Sequence, residues 1–68
     1  MNEIIFLVED ALEGGFTARA LGVSIFTQGD SLEVLYNNIR EAVLCHFDES
    51  DTPKIVRVHY VRDEILAL

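Results

Sequence analysis

The twelve carboxylates are the side chains in this sequence best suited to chemistry, and their spacing decides which chemistry. General acid–base or two-metal catalysis needs carboxylates that converge on one point. Glu9, Asp10 and Glu13 surround a Gly14-Gly15 pair, Glu33 and Glu41 fall in a helical stretch, and Asp48, Glu49 and Asp51 share one polar loop. The stretch from Lys54 to Arg62 has none. Turns and exposed helix faces are where carboxylates ordinarily meet water. The expectation is a solvated acidic surface with no catalytic residue and no metal site.

Two histidines and one cysteine complete the reactive inventory. Cys45 and His46 are adjacent, so on a helix their side chains diverge by about 100° and do not pair. Cys45 is expected to pack as a small, reduced hydrophobe. His46 falls near a helix C-terminus, where its protonated form gains from the dipole, and His59 shares a strand face with Arg57. One cysteine excludes an internal disulfide, and the set is too small for a zinc framework.

Two glycine motifs call for cofactors and fail. Thiamine-diphosphate enzymes hold magnesium and pyrophosphate with a Gly-Asp-Gly start and a distant Asn-Asn end. Here Asn37-Asn38 follows Asp30 by only seven positions, and Ser31 stands where the second glycine would be. Gly14-Gly15 opens a strand and is followed by no P-loop lysine. No cofactor is expected.

These residues must be positioned by a few short elements. Glu3–Glu9 is rich in β-branched and aromatic residues and reads as a strand; its continuous apolar run suggests burial on both faces. Gly14-Gly15 signals a hairpin, Phe16–Ala20 a second strand, and Val23–Thr27 a third after a Leu21-Gly22 turn. Asp30 is placed to cap a helix, with Glu33 completing a capping-box-like pair. Leu32, Leu35, Tyr36, Ile39, Ala42, Val43, His46 and Phe47 recur at three- and four-residue intervals as its apolar stripe. The helix stops before the acidic loop that ends at Pro53, and Lys54–Val61 alternates as a final strand. The order is β-β-β-α-β, an α+β fold over residues 1–68 taken as a single domain, followed by the apolar run Ile65-Leu66-Ala67-Leu68.

Composition narrows the function classes. Five basic against twelve acidic residues give a net charge of −7, which argues against direct nucleic-acid binding, since phosphates must be neutralised by clustered Lys and Arg. The longest uncharged apolar run, Ile4–Val8, is far short of the roughly 20 residues that span a bilayer. No membrane association is expected, and the chain reads as cytoplasmic. A chain of 68 residues buries a thin core and commonly relies on disulfides, a metal or a partner. With the first two excluded, a homo-oligomer is expected, with Ile65, Leu66 and Leu68 as its contacts.

Glu13-Gly14-Gly15-Phe16-Thr17-Ala18, then Phe26-Thr27-Gln28-Gly29-Asp30-Ser31-Leu32-Glu33, then Asn38-Ile39-Arg40-Glu41-Ala42 resemble the HicB-type antitoxin domain over about residues 3–60. The Thr27–Glu33 segment is the most specific part. The resemblance implies a partial ribonuclease-H-like fold: a three-stranded antiparallel meander, a helix, and a fourth strand parallel to the first. It implies a stand-alone HicB-like module without the C-terminal DNA-binding domain many members carry. The proline-containing segment frequent between the family's second and third strands is replaced by the shorter Ala20-Leu21-Gly22-Val23. Where the parent enzyme fold carries catalytic acids, this chain has Ile5-Phe6-Leu7 and Val56-Arg57-Val58, so no nuclease activity is expected.

The implied function is neutralisation, by occlusion, of a small basic mRNA-cleaving toxin of the HicA type. Glu9, Asp10, Glu13 and Glu33 are the candidate partner-binding residues. The alternative is a structural or ligand-sensing homo-oligomer with no toxin partner.

Overall fold

The computed structural model describes residues 2–68. Four strands and one helix follow one another as β1 (Glu3–Asp10), β2 (Phe16–Ala20), β3 (Phe26–Gly29), α1 (Leu32–His46) and β4 (Ile55–Val61). The sheet order is β3-β2-β1-β4. β1, β2 and β3 form an antiparallel meander, and α1 carries the chain across to β4, which runs parallel to β1. This is the α+β arrangement expected from the sequence.

β1 is central in the sheet but is not covered on both faces. Ile4, Phe6 and Val8 point toward the helix and are buried, whereas Ile5 and Leu7 lie half-buried on the opposite face. The unbroken apolar run therefore reflects neighbours on both flanks, not a second covering layer. In register, Leu7 lies between Arg19 and His59, and Ile5 beside Arg57. Their long polar neighbours shield the two aliphatic side chains in part, a common way to finish a face that meets water.

β3 begins three residues later than the expected Val23. Gly22 adopts a positive φ of 83°, and the Ala20 amide donates to the Ile25 carbonyl at 2.9 Å. That bond closes a loop over residues 21–25, so ladder pairing starts only at Arg19 opposite Phe26. Ile25 is drawn into the core from this loop, and its apolar character is what suggested a strand.

The helix is capped by Ser31, not Asp30. Ser31 has extended backbone (φ −135°, ψ 166°) and its hydroxyl accepts from the Val34 amide at 3.2 Å. The expected Asp30–Glu33 pairing is therefore one residue out of phase. Glu33 instead sits in the first turn, where a negative charge favours the helix dipole. Leu35, Ile39 and Val43, spaced by four, form the buried stripe. Leu32 precedes that stripe and is partly exposed, and His46 is exposed. At the other end the Phe47 amide donates to the Val43 carbonyl and closes the last turn.

The core consists of Ile4, Phe6, Val8, Ala18, Ala20 and Ile25 from the sheet side and the three helix residues. Gly29 is what lets helix and sheet meet closely. A Cβ there would lie 2.6 Å from the Leu35 nitrogen. Beyond Val61 the chain leaves the sheet, and residues 62–68 are exposed with no regular structure.

Candidate functional site

One end of the molecule gathers most of the predicted partner-binding acids. The C-terminal end of β1, the hairpin through Gly14-Gly15, the end of β3 and the start of α1 meet there, as shown by the Phe16–Gly29 register pair. A Cβ on Gly15 would lie 2.7 Å from the Gly29 carbonyl oxygen, and its positive φ of 77° independently requires glycine. The hairpin therefore packs directly on the chain that enters the helix. A shallow cleft between them is lined by Ala11, Phe16, Asp30, Val34 and Asn38 among others.

The four acids in question do not form one patch. Glu9 pairs with Thr17 and Val61 and points to the face of the sheet away from the helix. Asp10 points to the helix side. Glu13 is exposed in the hairpin and Glu33 is exposed in the first helical turn. They share an end of the molecule and face different directions from it.

Asp10 is already engaged within the chain. The Tyr60 hydroxyl donates to one of its carboxylate oxygens, and Arg62 Nε donates to the other at 3.1 Å. The Tyr60 hydrogen bond, reinforced by Arg62, holds the Asp10 carboxyl below its ordinary range. The same bond pushes the Tyr60 phenol above its ordinary value, since ionising it would set two negative oxygens together. Arg62 also lies 5.7 Å from the centre of the Tyr60 ring, and that ring tilts against Phe16 at 5.9 Å. Asp10 is thus paired with Arg62, whereas among the described residues Glu9, Glu13 and Glu33 form no ion pair.

Ile5 pairs with Arg57, and the buried Phe6 pairs with Val58. On the same strand pair Glu3 accepts from Arg57 Nη2 at 2.7 Å. Among the described residues, no group of three or more His, Cys, Asp and Glu side chains comes together as a metal cluster.

The other residues singled out in the sequence lie mostly at the surface. Cys45 is exposed rather than packed. His46 contacts the Phe47 ring edge-on at 4.9 Å. Asn38 is half-buried and its side-chain amide donates to the Gln28 carbonyl at 2.7 Å, tying the helix to β3. Nothing in the local pattern distinguishes it from Asn37, which accepts from its helical neighbour Arg40. Ile65, Leu66 and Leu68 are 96%, 83% and 123% exposed, so their own chain does not cover them. Among the described residues, no helix is long and apolar enough to cross a membrane.

No family model matches the sequence, and no solved structure matches the fold. Two curated relatives do match. A UPF0150 protein of Archaeoglobus fulgidus is 56% identical over 55 residues, which cover 81% of this chain and 82% of the relative. A UPF0150 protein of Thermotoga maritima is 42% identical over 67 residues, covering 98% of this chain and 94% of the relative. Identity of that extent over most of both chains makes this chain a member of the UPF0150 protein family.

Proposed function

We propose that this chain is a non-enzymatic, HicB-like binding module, which neutralises a small basic mRNA-cleaving toxin by covering it. The observation that carries the reading is the β1–β4 parallel pair. It has the topology the HicB resemblance implies, and Ile5/Arg57 and Phe6/Val58 occupy the row where a nuclease would need acids. A sheet of this kind without its metal-binding carboxylates is suited to binding rather than cleavage. Glu9, Glu13 and Glu33, together with the net charge of −7, suit a basic partner.

Charges at the rim of an interface mainly raise the association rate, and salt screens them within about 8 Å at physiological ionic strength. The test is the association rate with a basic HicA-type toxin encoded beside this gene, at low and high salt, for the native chain and for Glu9→Lys/Glu13→Lys. A slower, less salt-sensitive association in the variant supports the reading. An unchanged rate at both salt levels removes these acids from the interface.

The second reading is a homo-oligomer of structural or ligand-sensing role. It is favoured by one observation, the uncovered Ile65, Leu66 and Leu68. Exposed apolar clusters of this kind mark association surfaces. This reading has no toxin partner, and self-association is the part of it that a toxin-covering module can share.

A further inference from the structure

The helix packs over β2 and β3, so the inward face of β4 is roofed along one side only. Two adjoining clefts of 270 and 460 Å³ run between α1 and β4 and share Arg40 and Val56. Ile39, Val43, Val56 and Val58 line this groove, with Arg40 and Lys54 at its rim. Among the described residues, neither Arg40 nor Lys54 forms an ion pair. The groove thus mixes apolar and polar lining, with half-buried Val56 and Val58 as its accessible aliphatic side chains on β4, Tyr36 and Thr52 among its polar ones, and a positive margin.

Residues 63–68 complement it in charge: Asp63 and Glu64, then the apolar Ile65-Leu66-Ala67-Leu68. The segment is not set up to double back across its own β4. Arg62 reaches Asp10 on the same side as Tyr60, so the chain is still extended there. Beyond Arg62, Asp63 is the one residue of a turn-favouring type, and Ile65, Leu66 and Leu68 stay exposed rather than folding back onto their own chain. The molecule accordingly measures 52 Å along one axis against 19 and 17 Å on the others.

We propose that residues 63–68 of a second copy fill this groove, and that the exchange is reciprocal. In an extended segment Leu66 and Leu68 fall on one face, the same period of two that places Val56 and Val58 together on β4. Running in the direction of β4, the segment sets Leu66 by Val56, Leu68 by Val58 and Glu64 by Lys54. The opposite direction would bring Glu64 toward Asp10. A two-fold axis closes both grooves with one repeated contact, leaving no apolar segment free to propagate a chain. This deepens the self-association reading above and does not depend on a toxin.

The experiment is sedimentation of the full chain and of four exposed-site variants, with far-UV circular dichroism confirming the fold. The native chain is expected to sediment at a multiple of 7.7 kDa, and Leu66→Asp/Leu68→Asp at the monomer mass with an unchanged spectrum. Lys54→Glu and Glu64→Lys should each weaken association at least tenfold, and combining them should restore it. Association untouched by Leu66→Asp/Leu68→Asp would overturn this groove while leaving self-association intact. A monomeric native chain would overturn both. In a mixture of isotope-labelled and unlabelled chains, Leu66–Val56 methyl contacts are expected between copies; contacts found only within one chain would show a folded-back segment and refute the exchange.

Discussion

The Tyr60 hydroxyl donates to the Asp10 carboxylate across the parallel β1–β4 pair. The two reach each other because Val8 faces Tyr60 in register and Asp10 follows two residues later on the same side. The bond links residues 50 positions apart and, with Arg62, ties the end of β4 to the acidic end of the molecule.

This link has a pH signature. Asp10 ionises below 3.8, chiefly because of the Tyr60 hydrogen bond. Its contribution to stability is therefore full above that value and is lost as pH falls through the lowered one. Tyr60 ionises above 10.0 because of the same bond, so its contribution is full below that value and is lost as pH rises further. Carboxyl-carbon NMR titration of Asp10 should give a midpoint below 3.8 in the native chain and a higher one in Tyr60→Phe. Equal midpoints would mean that the bond does not persist in solution.

The cap assignment separates two adjacent residues. Ser31→Ala should destabilise the chain by about 1 kcal/mol, because the Val34 amide loses its acceptor. Asp30→Ala should cost less than that. Urea denaturation of both variants distinguishes them, and a larger loss at Asp30 would restore the cap the spacing first suggested.

Core truncation should outweigh either change. Leu35 and Ile39 are 0% and 2% exposed, and replacing either by alanine should cost about 2–5 kcal/mol through the cavity left behind. Losses in urea denaturation below that of Ser31→Ala would mean that the helix presents a different face to the sheet.

Gly29→Ala and Gly14→Ala test close packing against backbone freedom. A Cβ on Gly29 would meet the Leu35 nitrogen at 2.6 Å, whereas at Gly14 nothing lies within 4 Å and only its φ of 102° opposes the change. Thermal denaturation should show the larger fall for Gly29→Ala, since moving the helix off β3 disturbs the core as a whole. The reverse order would indicate that the helix yields easily at this point.

Strand and helix identities were legible where local pattern and burial agree. The β1 run, the Gly14-Gly15 hairpin and the four-residue spacing of Leu35, Ile39 and Val43 each specify their element alone. What failed depended on distant partners. Ile25 looked like strand because it is apolar, yet it enters the core from a loop closed by Ala20. Asp30 and Ser31 are both good caps, and it is Ser31 whose hydroxyl reaches the Val34 amide. At the acidic end, sequence grouped Glu9 with Asp10 because they are neighbours. Strand alternation sends them to opposite faces, and the engagement of Asp10 by Tyr60 joins residues too far apart in the chain for spacing to reveal.

The decisive measurement is messenger-RNA cleavage by a basic HicA-type toxin encoded beside this gene, titrated with the native chain in the presence of magnesium. Masking predicts that cleavage falls to background as the added protein reaches a fixed ratio to the toxin, and that the chain alone leaves the RNA intact. Cleavage that persists at large excess, or magnesium-dependent cleavage by the chain alone, would contradict a binding module that acts by occlusion.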